Sequence, residues 1–360
     1  MKVLVGPLSY PRTGQSHAFE LVANGLSGEK VVIYIPTAGG GLTKTVGALR
    51  GWFKCFKALV SRRVQVMYIT TSRTWFGFIR DAGYIVLAKA FRVPVVNHLH
   101  GSDFRAFRDA AGSLGRGIID LVYGWIGESI VLHKSMRDQY SQYRRMRLSV
   151  VENCVDDELW DIPPDAKRKS STITILYLSN FLKTKGIVEL IRAFEVAAHG
   201  RDWLRLVVGG APLSGTIEAF LEQEMGPGYK IPSGVVFLGA TYGGNKKELL
   251  QSADILALPS YYESEAVPVS LLEGVVCGCA LITTRWRYLP KVFARFGVLF
   301  VEPKSIESLT RALEIFADDR EMLQQYKMRN MSSRKLVARS ADYLRQVSRV
   351  IQRAAEHTQK

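Results

Sequence analysis

Hydrophobic residues fall into short β-branched runs separated by segments of helical period. In the first half the runs lie at residues 3–5, 31–35, 64–69, 93–98, 129–132 and 149–151, and intervening segments such as 19–26 and 81–91 repeat apolar positions every three to four residues. Strand and helix in alternation predict a parallel sheet with crossover helices, an α/β, doubly wound domain. The pattern begins again at 173–178 and continues at 204–208, 235–238, 255–258, 280–283 and 298–301, so a second sheet of the same kind is expected. Between the two, residues 156–171 (DDELWDIPPDAKRKSS) have no period and end in a basic and serine run, the composition of a linker. Beyond residue 307 the period is helical, through Leu309, Leu313 and Phe316 and then Leu344, Val347 and Ile351. The expected organisation is a Rossmann-like domain at 1–155, a linker at 156–171 and a second Rossmann-like domain at 172–340.

Composition sharpens this. The chain has 360 residues, 47% hydrophobic and 22% charged, enough for two cores of an ordinary globular protein. No apolar run approaches the ~20 residues of a membrane span. The opening MKVLVGPLSYPRTGQSH meets proline and glycine too early for a secretory signal and reads as the first strand of a cytosolic protein. The four cysteines lack zinc spacing, so buried, reduced thiols and no metal are expected.

Charge adds more. The net +15 is one-sided: residues 1–150 hold 21 Lys and Arg against 8 Asp and Glu, and residues 151–360 hold 27 against 25. Such a field suits a polyanionic surface, and without a nucleic-acid module that surface is expected to be an anionic membrane leaflet. Leu49, Trp52, Phe53, Phe56, Leu59 and Val60 share one face of a predicted helix, with Arg50, Lys54, Lys57, Arg62 and Arg63 elsewhere. This is a basic amphipathic helix suited to lie on the leaflet, or else a helix packed on its sheet with a solvated basic side. Lys134, Arg137, Arg144, Arg145 and Arg147, with Tyr140 and Tyr143, form a second basic cluster that adds to the patch or faces phosphates.

In open parallel sheets ligands bind beyond the carboxyl ends of the strands, where helix N-termini converge. The first strand leads to Thr13-Gly14-Gln15-Ser16-His17, where glycine permits close backbone approach to a phosphate or sugar. The fourth ends in His98-Leu99-His100-Gly101-Ser102-Asp103, with the two histidines on one face by alternation. In the second half Ser179 and Asn180 follow a strand, and Lys185-Gly186 precedes a helix at 187–198, a cation beside a helix N-terminus that suits a diphosphate. Lys183 is the competing, solvated candidate. Gly209-Gly210 ends a further strand as another close-approach loop.

The most informative stretch is LPSYYESEAVPVSLLEGVVCGCALITT from Leu258. Pro268 fits the first turn of a helix over about 267–277 that Gly278 ends. Glu265 then lies on the loop, and Glu273 lies inside the helix among Val269, Leu271, Leu272, Val275 and Val276. A carboxylate there requires a partner or a ligand, and its acceptor-only oxygens suit a vicinal diol. Glu263 reads as an exposed neighbour.

These residues resemble the retaining family 4 glycosyltransferases, also called glycosyl transferases group 1. Their signature P-S-x-x-E-G-F-x-x-x-x-L-E-A-x-A-C-G-x-P-V-x-x-T spaces two glutamates as Glu265-Ala266-Val267-Pro268 and Leu272-Glu273-Gly274-Val275-Val276-Cys277-Gly278 do here. Leu176-Tyr177-Leu178-Ser179-Asn180 through Lys185-Gly186 is similar to the family's G-R-L-x-x-x-K-G segment. Val151-Glu152-Asn153-Cys154-Val155-Asp156 is similar to I-x-N-G-V-D, and His98 to Asp103 to H-x-H-G-x-D. The family's Arg and Gly are here Asn180 and Ser179, and the Gly after its first glutamate is Ala266.

The resemblance implies the GT-B architecture, two Rossmann-like domains facing a central cleft, with the last helix, 341–360, joined to the first domain. It implies a nucleotide diphosphate sugar, UDP or GDP type, as substrate, with no separate cofactor or metal. Glu273 would bind the ribose, Glu265 the transferred sugar, Lys185 the diphosphate, Gly14 the same phosphates and His100 the sugar near the reaction centre, with Asn180, Gly209, Ala266 and Val267 lining the donor. The expected function is retaining transfer of a sugar to a glycan acceptor, lipid-linked, in bacterial surface polysaccharide synthesis at the inner face of the cell membrane. A silent nucleotide-sugar-binding protein and a transferase with a small soluble acceptor are the alternatives.

Overall fold

The structure, a computed structural model, describes residues 1–8, 13–36, 40–61, 63–161 and 171–356. The chain divides into two compact units, Met1–Asn153 with Ser340–Lys360, and Cys154–Arg339. Most of the 156–171 stretch read as a linker, and Arg62 of the basic helix, lie outside the described residues.

The first unit runs β1 (Lys2–Leu8), α1 (Gly14–Gly25), β2 (Lys30–Pro36), α2 (Gly41–Ser61), β3 (Val66–Ile69), α3 (Trp75–Ala90), β4 (Val95–Leu99), α4 (Phe104–Asp109), α5 (Gly112–Tyr123), β5 (Glu128–Val131) and β6 (Arg147–Val150). The second runs β7 (Cys154–Val155), β8 (Ile173–Leu178), α6 (Ile187–Ala197), β9 (Leu204–Gly209), α7 (Ile217–Met225), β10 (Val235–Gly239), α8 (Gly243–Ser252), β11 (Ile255–Leu258), α9 (Val269–Val276), β12 (Ala280–Thr284), α10 (Leu289–Phe293), β13 (Val298–Val301), α11 (Ile306–Asp318), α12 (Arg320–Ser333) and β14 (Ala338–Arg339). The last helix, α13 (Ser340–Glu356), belongs to the first unit, where Tyr343, Val347 and Ile351 are buried and Arg353 pairs with Glu128.

Each unit holds a six-stranded parallel sheet, ordered β2-β1-β3-β4-β5-β6 and β10-β9-β8-β11-β12-β13, and β7 pairs with β14. Every strand segment read from the sequence is a strand, with ends shifted by a few residues. Helices cover both faces of such sheets, which is why β3, β4, β5, β11 and β12 are buried along their whole length. The second sheet reverses direction between β8 and β11, the crevice at which open α/β sheets bind ligands. All four cysteines are free and buried.

Helix α2 departs from its sequence reading. The face turned to the protein is built of small residues, Ala48, Gly51, Cys55 and Ala58, with Leu59. The Tyr84 hydroxyl of α3 presses on Gly51, where an added Cβ would sit 2.0 Å from it. Trp52 is half-buried: its indole N–H donates to the Arg80 carbonyl at 2.9 Å. Trp52 and Leu59 therefore serve packing, while Leu49, Phe53, Phe56 and Val60 face outward. Arg50, Lys57 and Arg63 are exposed, and Lys54 Nζ donates to the Val32 carbonyl of edge strand β2 at 2.8 Å.

In the second basic cluster Lys134, Arg137, Arg144, Arg145 and Arg147 are exposed, and only the two tyrosines turn inward. Tyr140 is buried and its hydroxyl bonds Asn97 Nδ2 at 2.7 Å, while Tyr143 donates to Asp120 at 2.7 Å. Both rings pack with Phe104 and Tyr123 in an aromatic core. They hold α4 and α5 to the sheet.

Candidate functional site

Loops following β8 and β11, the two strands at the reversal, form one site in the second unit. After β8 the chain passes Ser179 and Asn180 into a 3-10 turn, Lys183–Lys185, and Gly186 then caps α6 in the left-handed region, φ +77. A Cβ on Gly186 would lie 2.2 Å from the Pro259 carbonyl oxygen, so only glycine lets the two loops meet. The Tyr261 N–H donates to the Thr184 carbonyl at 2.8 Å and ties them. Gly186→Ala is expected to lower stability by about 2–4 kcal/mol through left-handed strain and this overlap, read as a fall in denaturation midpoint at constant m-value.

Lys185 Nζ donates to Glu265 Oε2 at 2.7 Å, and the buried Ser260 hydroxyl donates to the same oxygen at 2.6 Å. The ammonium also lies 4.9 Å from the centroid of the Tyr262 ring. Lys183, the competing cation, is exposed and pairs with Glu224 at 2.9 Å. Glu263 is exposed and pairs with Arg287.

Helix α9 starts at Val269, with Pro268 at the N-cap rather than inside the first turn. Proline has no N–H to give and no side chain caps this end, so the first-turn amides are set at the site as an anion binder would set them. Cys277 closes the helix, and Gly278 follows at φ +67. Ala266 and Val267 are buried, leaving their backbone to the site. Ala266 is not among the residues with positive φ, so losing the family's glycine there creates no strain.

Glu273 is only 5% exposed, and its partner is one that sequence reasoning missed: Lys246 of α8 donates to Oε1 at 2.7 Å. Burial pulls the Lys246 pKa down, and the charge and hydrogen bonds of Glu273 and Asp156 outweigh it and raise the pKa, so Lys246 is a cation. Asp156 lies 3.6 Å from it. The remaining oxygens, Oε1 of Glu265 and Oε2 of Glu273, make no hydrogen bond among the described residues. Asn180 is half-buried beyond β8, and the buried Gly209 ends β9 against Leu178. No local signal in the sequence marks Lys246, because a lysine on a polar helix reads as solvated.

In the first unit Gly14 opens α1 in an exposed turn, capped by Thr13 and Ser16. His98 of β4 and His100 just beyond its end lie side by side, ring centroids 4.1 Å apart, and His98 Nδ1 bonds the Tyr68 hydroxyl at 2.8 Å. Burial, then the neighbouring His100, push the His98 pKa well down. Burial, then the Arg73 charge, push His100 down to about 3. Both rings are neutral at pH 7, and His100 Nε2 has no partner among the described residues. Arg73, also missed, pairs with Asp103 at 2.5 Å. Among the described residues no group of three or more His, Cys, Asp or Glu is placed to hold a metal, and no helix is long and apolar enough to cross a membrane.

The Anabaena protein HepE, solved with UDP-glucose, aligns over 98% of this chain and 100% of its own, with a TM-score of 0.74 at 14% identity. Sucrose-phosphate synthase from Thermosynechococcus elongatus aligns over 99% of each chain at a TM-score of 0.69 and 13% identity. These likenesses show the fold, GT-B. In sequence the chain is 29% identical over 167 residues to one subunit of human phosphatidylinositol N-acetylglucosaminyltransferase, covering 46% of this chain and 33% of the human protein. It is 26% identical over 212 residues to N-acetyl-alpha-D-glucosaminyl L-malate synthase of Bacillus anthracis, covering 56% of this chain and 52% of that protein. The matches thus span about half or less of these relatives' length. Residues 160–332 match the family described as Glycosyl transferases group 1. The paired glutamates and Lys185 stand in that segment, which is similar to the glycosyl transferases group 1 family.

Proposed function

We propose that this protein is a retaining glycosyltransferase that moves a sugar from a UDP or GDP sugar to a glycan acceptor. One observation carries the reading: two nearly buried carboxylates at the sheet reversal each bind a lysine through one oxygen and leave the other open. Glu273 receives the ribose hydroxyls, Glu265 the hydroxyls of the transferred sugar, and Lys185 with the uncapped start of α9 receives the diphosphate. Cleaving the glycosyl phosphate bond places negative charge on the leaving diphosphate, and a fixed cation and helix amides stabilise it without reorganising. Because those groups supply the charge, turnover is proposed to be metal-independent and to survive chelator. Asn180 donates an amide hydrogen bond where the family has a cation, which puts more of that task on Lys185.

The acceptor is proposed to be lipid-linked, in bacterial capsule, O-antigen or exopolysaccharide synthesis, with the protein peripheral at the inner face of the cell membrane. The one-sided basic charge of residues 1–150 and the phosphatidylinositol in the human relative's name support this. A small soluble acceptor, as the L-malate in the Bacillus relative's name suggests, is the second reading.

A thermal-shift panel of nucleotide sugars tests the donor assignment. A cognate donor at about 100 times its Kd adds about 2.7 kcal/mol of stability, and no shift from any UDP or GDP sugar would refute the assignment. A shift without hydrolysis or transfer of the sugar would identify a silent binder.

A further inference from the structure

Helix α2 has a second apolar face, opposite the small residues that pack inward. Leu42, Val46, Leu49, Phe53, Phe56 and Val60 recur at alternating spacings of four and three, and all are exposed, Leu42 by 80% and Phe53 by 70%. The stripe is about 27 Å long at 1.5 Å per residue. An amphipathic helix on a sheet ordinarily turns polar residues outward at these positions. At 100° per residue Arg50, Lys54 and Lys57 fall along one flank of the stripe, and α2 contains no acidic residue.

Neighbouring helices extend the surface. The crossovers through α2, α3 and α5 step in one direction across the sheet, from β2 to β3, β4 and β5, so right-handed connections put all three helices on one face. Phe56 meets Phe91 at the end of α3, ring centroids 5.9 Å apart. On α3, Phe76 and Ile79 are exposed, and on α5 so are Leu114 and Leu121.

We propose that this face of the first unit docks on an anionic lipid leaflet. The α2 helix lies in the interface plane, with the Leu49, Phe53, Phe56 and Val60 side chains at the acyl boundary and Arg50 and Lys57 on lipid phosphates. A second copy of the chain is the competing occupant, since the spacing is also that of a coiled-coil seam. Antiparallel two-fold pairing through α2 would bring the basic flanks of both copies together, and in either orientation no carboxylate on the helices offsets them. Lipid phosphates satisfy the stripe and its flank at once. The inference deepens the membrane-surface part of the proposed function and rests on it, but not on the donor chemistry.

The test is co-sedimentation of the full chain with vesicles of phosphatidylcholine alone and of phosphatidylcholine with phosphatidylglycerol, at low and high salt. Binding is expected on the anionic vesicles, weakened but not abolished by high salt, because apolar insertion is not screened. Leu49→Asp with Phe53→Asp should lower the partition coefficient at least about tenfold at both salts, with an unchanged melting temperature. Arg50→Glu with Lys57→Glu should lower it at low salt only. A Phe53→Trp variant should show blue-shifted emission on vesicles. Equal binding by the double Asp variant, or a dimer that forms without vesicle binding and that the same variant dissociates, would overturn the proposal. Donor-induced thermal shifts in the same preparation report on the donor reading separately.

Discussion

Replacing Lys185 with alanine is expected to lower turnover of a nucleotide-sugar donor by about 10²–10³-fold, the usual cost of losing one preorganised group facing a developing anion. The ammonium is fixed before any ligand arrives, 2.7 Å from Glu265 Oε2 and over the Tyr262 ring. Its charge is partly neutralised in that state, and in the proposed donor complex the diphosphate shares it. If Lys185 acts on the leaving group, kcat falls more than KM rises, because the charge it meets grows toward the transition state. Lys185→Arg should recover part of the loss, since the charge remains while the position of the donor changes. Alanine also leaves Glu265, 6% exposed, with Ser260 as its one remaining side-chain donor among the described residues. A stability loss of about 1–3 kcal/mol should accompany the kinetic effect. Loss of stability with kcat unchanged would make Lys185 a structural partner of Glu265 and nothing more.

Most of the fold was legible because a parallel sheet buried on both faces writes its strands as apolar runs, and such runs are short enough to separate from helices. Glu273 was legible for the same reason: a charge inside the apolar run of α9 has no other explanation than a partner or a ligand. What the sequence hid were the partners. Lys246 lies 27 positions from Glu273 and Arg73 lies on a different loop from His100, and only the sheet order brings each pair together. The inward face of α2 was hidden for a physical reason too. Large apolar residues ordinarily mark the packed side of a helix, but Tyr84 presses on this one at Gly51, and the small Ala48, Cys55 and Ala58 share the buried face.

Glu273→Ala is expected to weaken nucleotide binding by about 30–100-fold, from the loss of hydrogen bonds between a charged acceptor and two hydroxyls. The substitution also strands Lys246 in a partly buried position with Asp156 at 3.6 Å, so folding stability falls as well. Lys246 separates the two effects. Lys246→Met removes the cation and leaves both oxygens of Glu273 for a ligand. It should therefore lower stability, since a buried carboxylate loses its counter-charge, while changing nucleotide affinity by less than about threefold. In the double variant the stability losses should be non-additive by about 1–3 kcal/mol, the coupling expected of a contacting buried pair. Affinity in the double variant should match Glu273→Ala alone if, as proposed, the ribose meets the carboxylate and not the ammonium. If Lys246→Met instead weakens nucleotide binding as much as Glu273→Ala does, then Glu273 acts by anchoring Lys246, and the lysine is the group that touches the nucleotide.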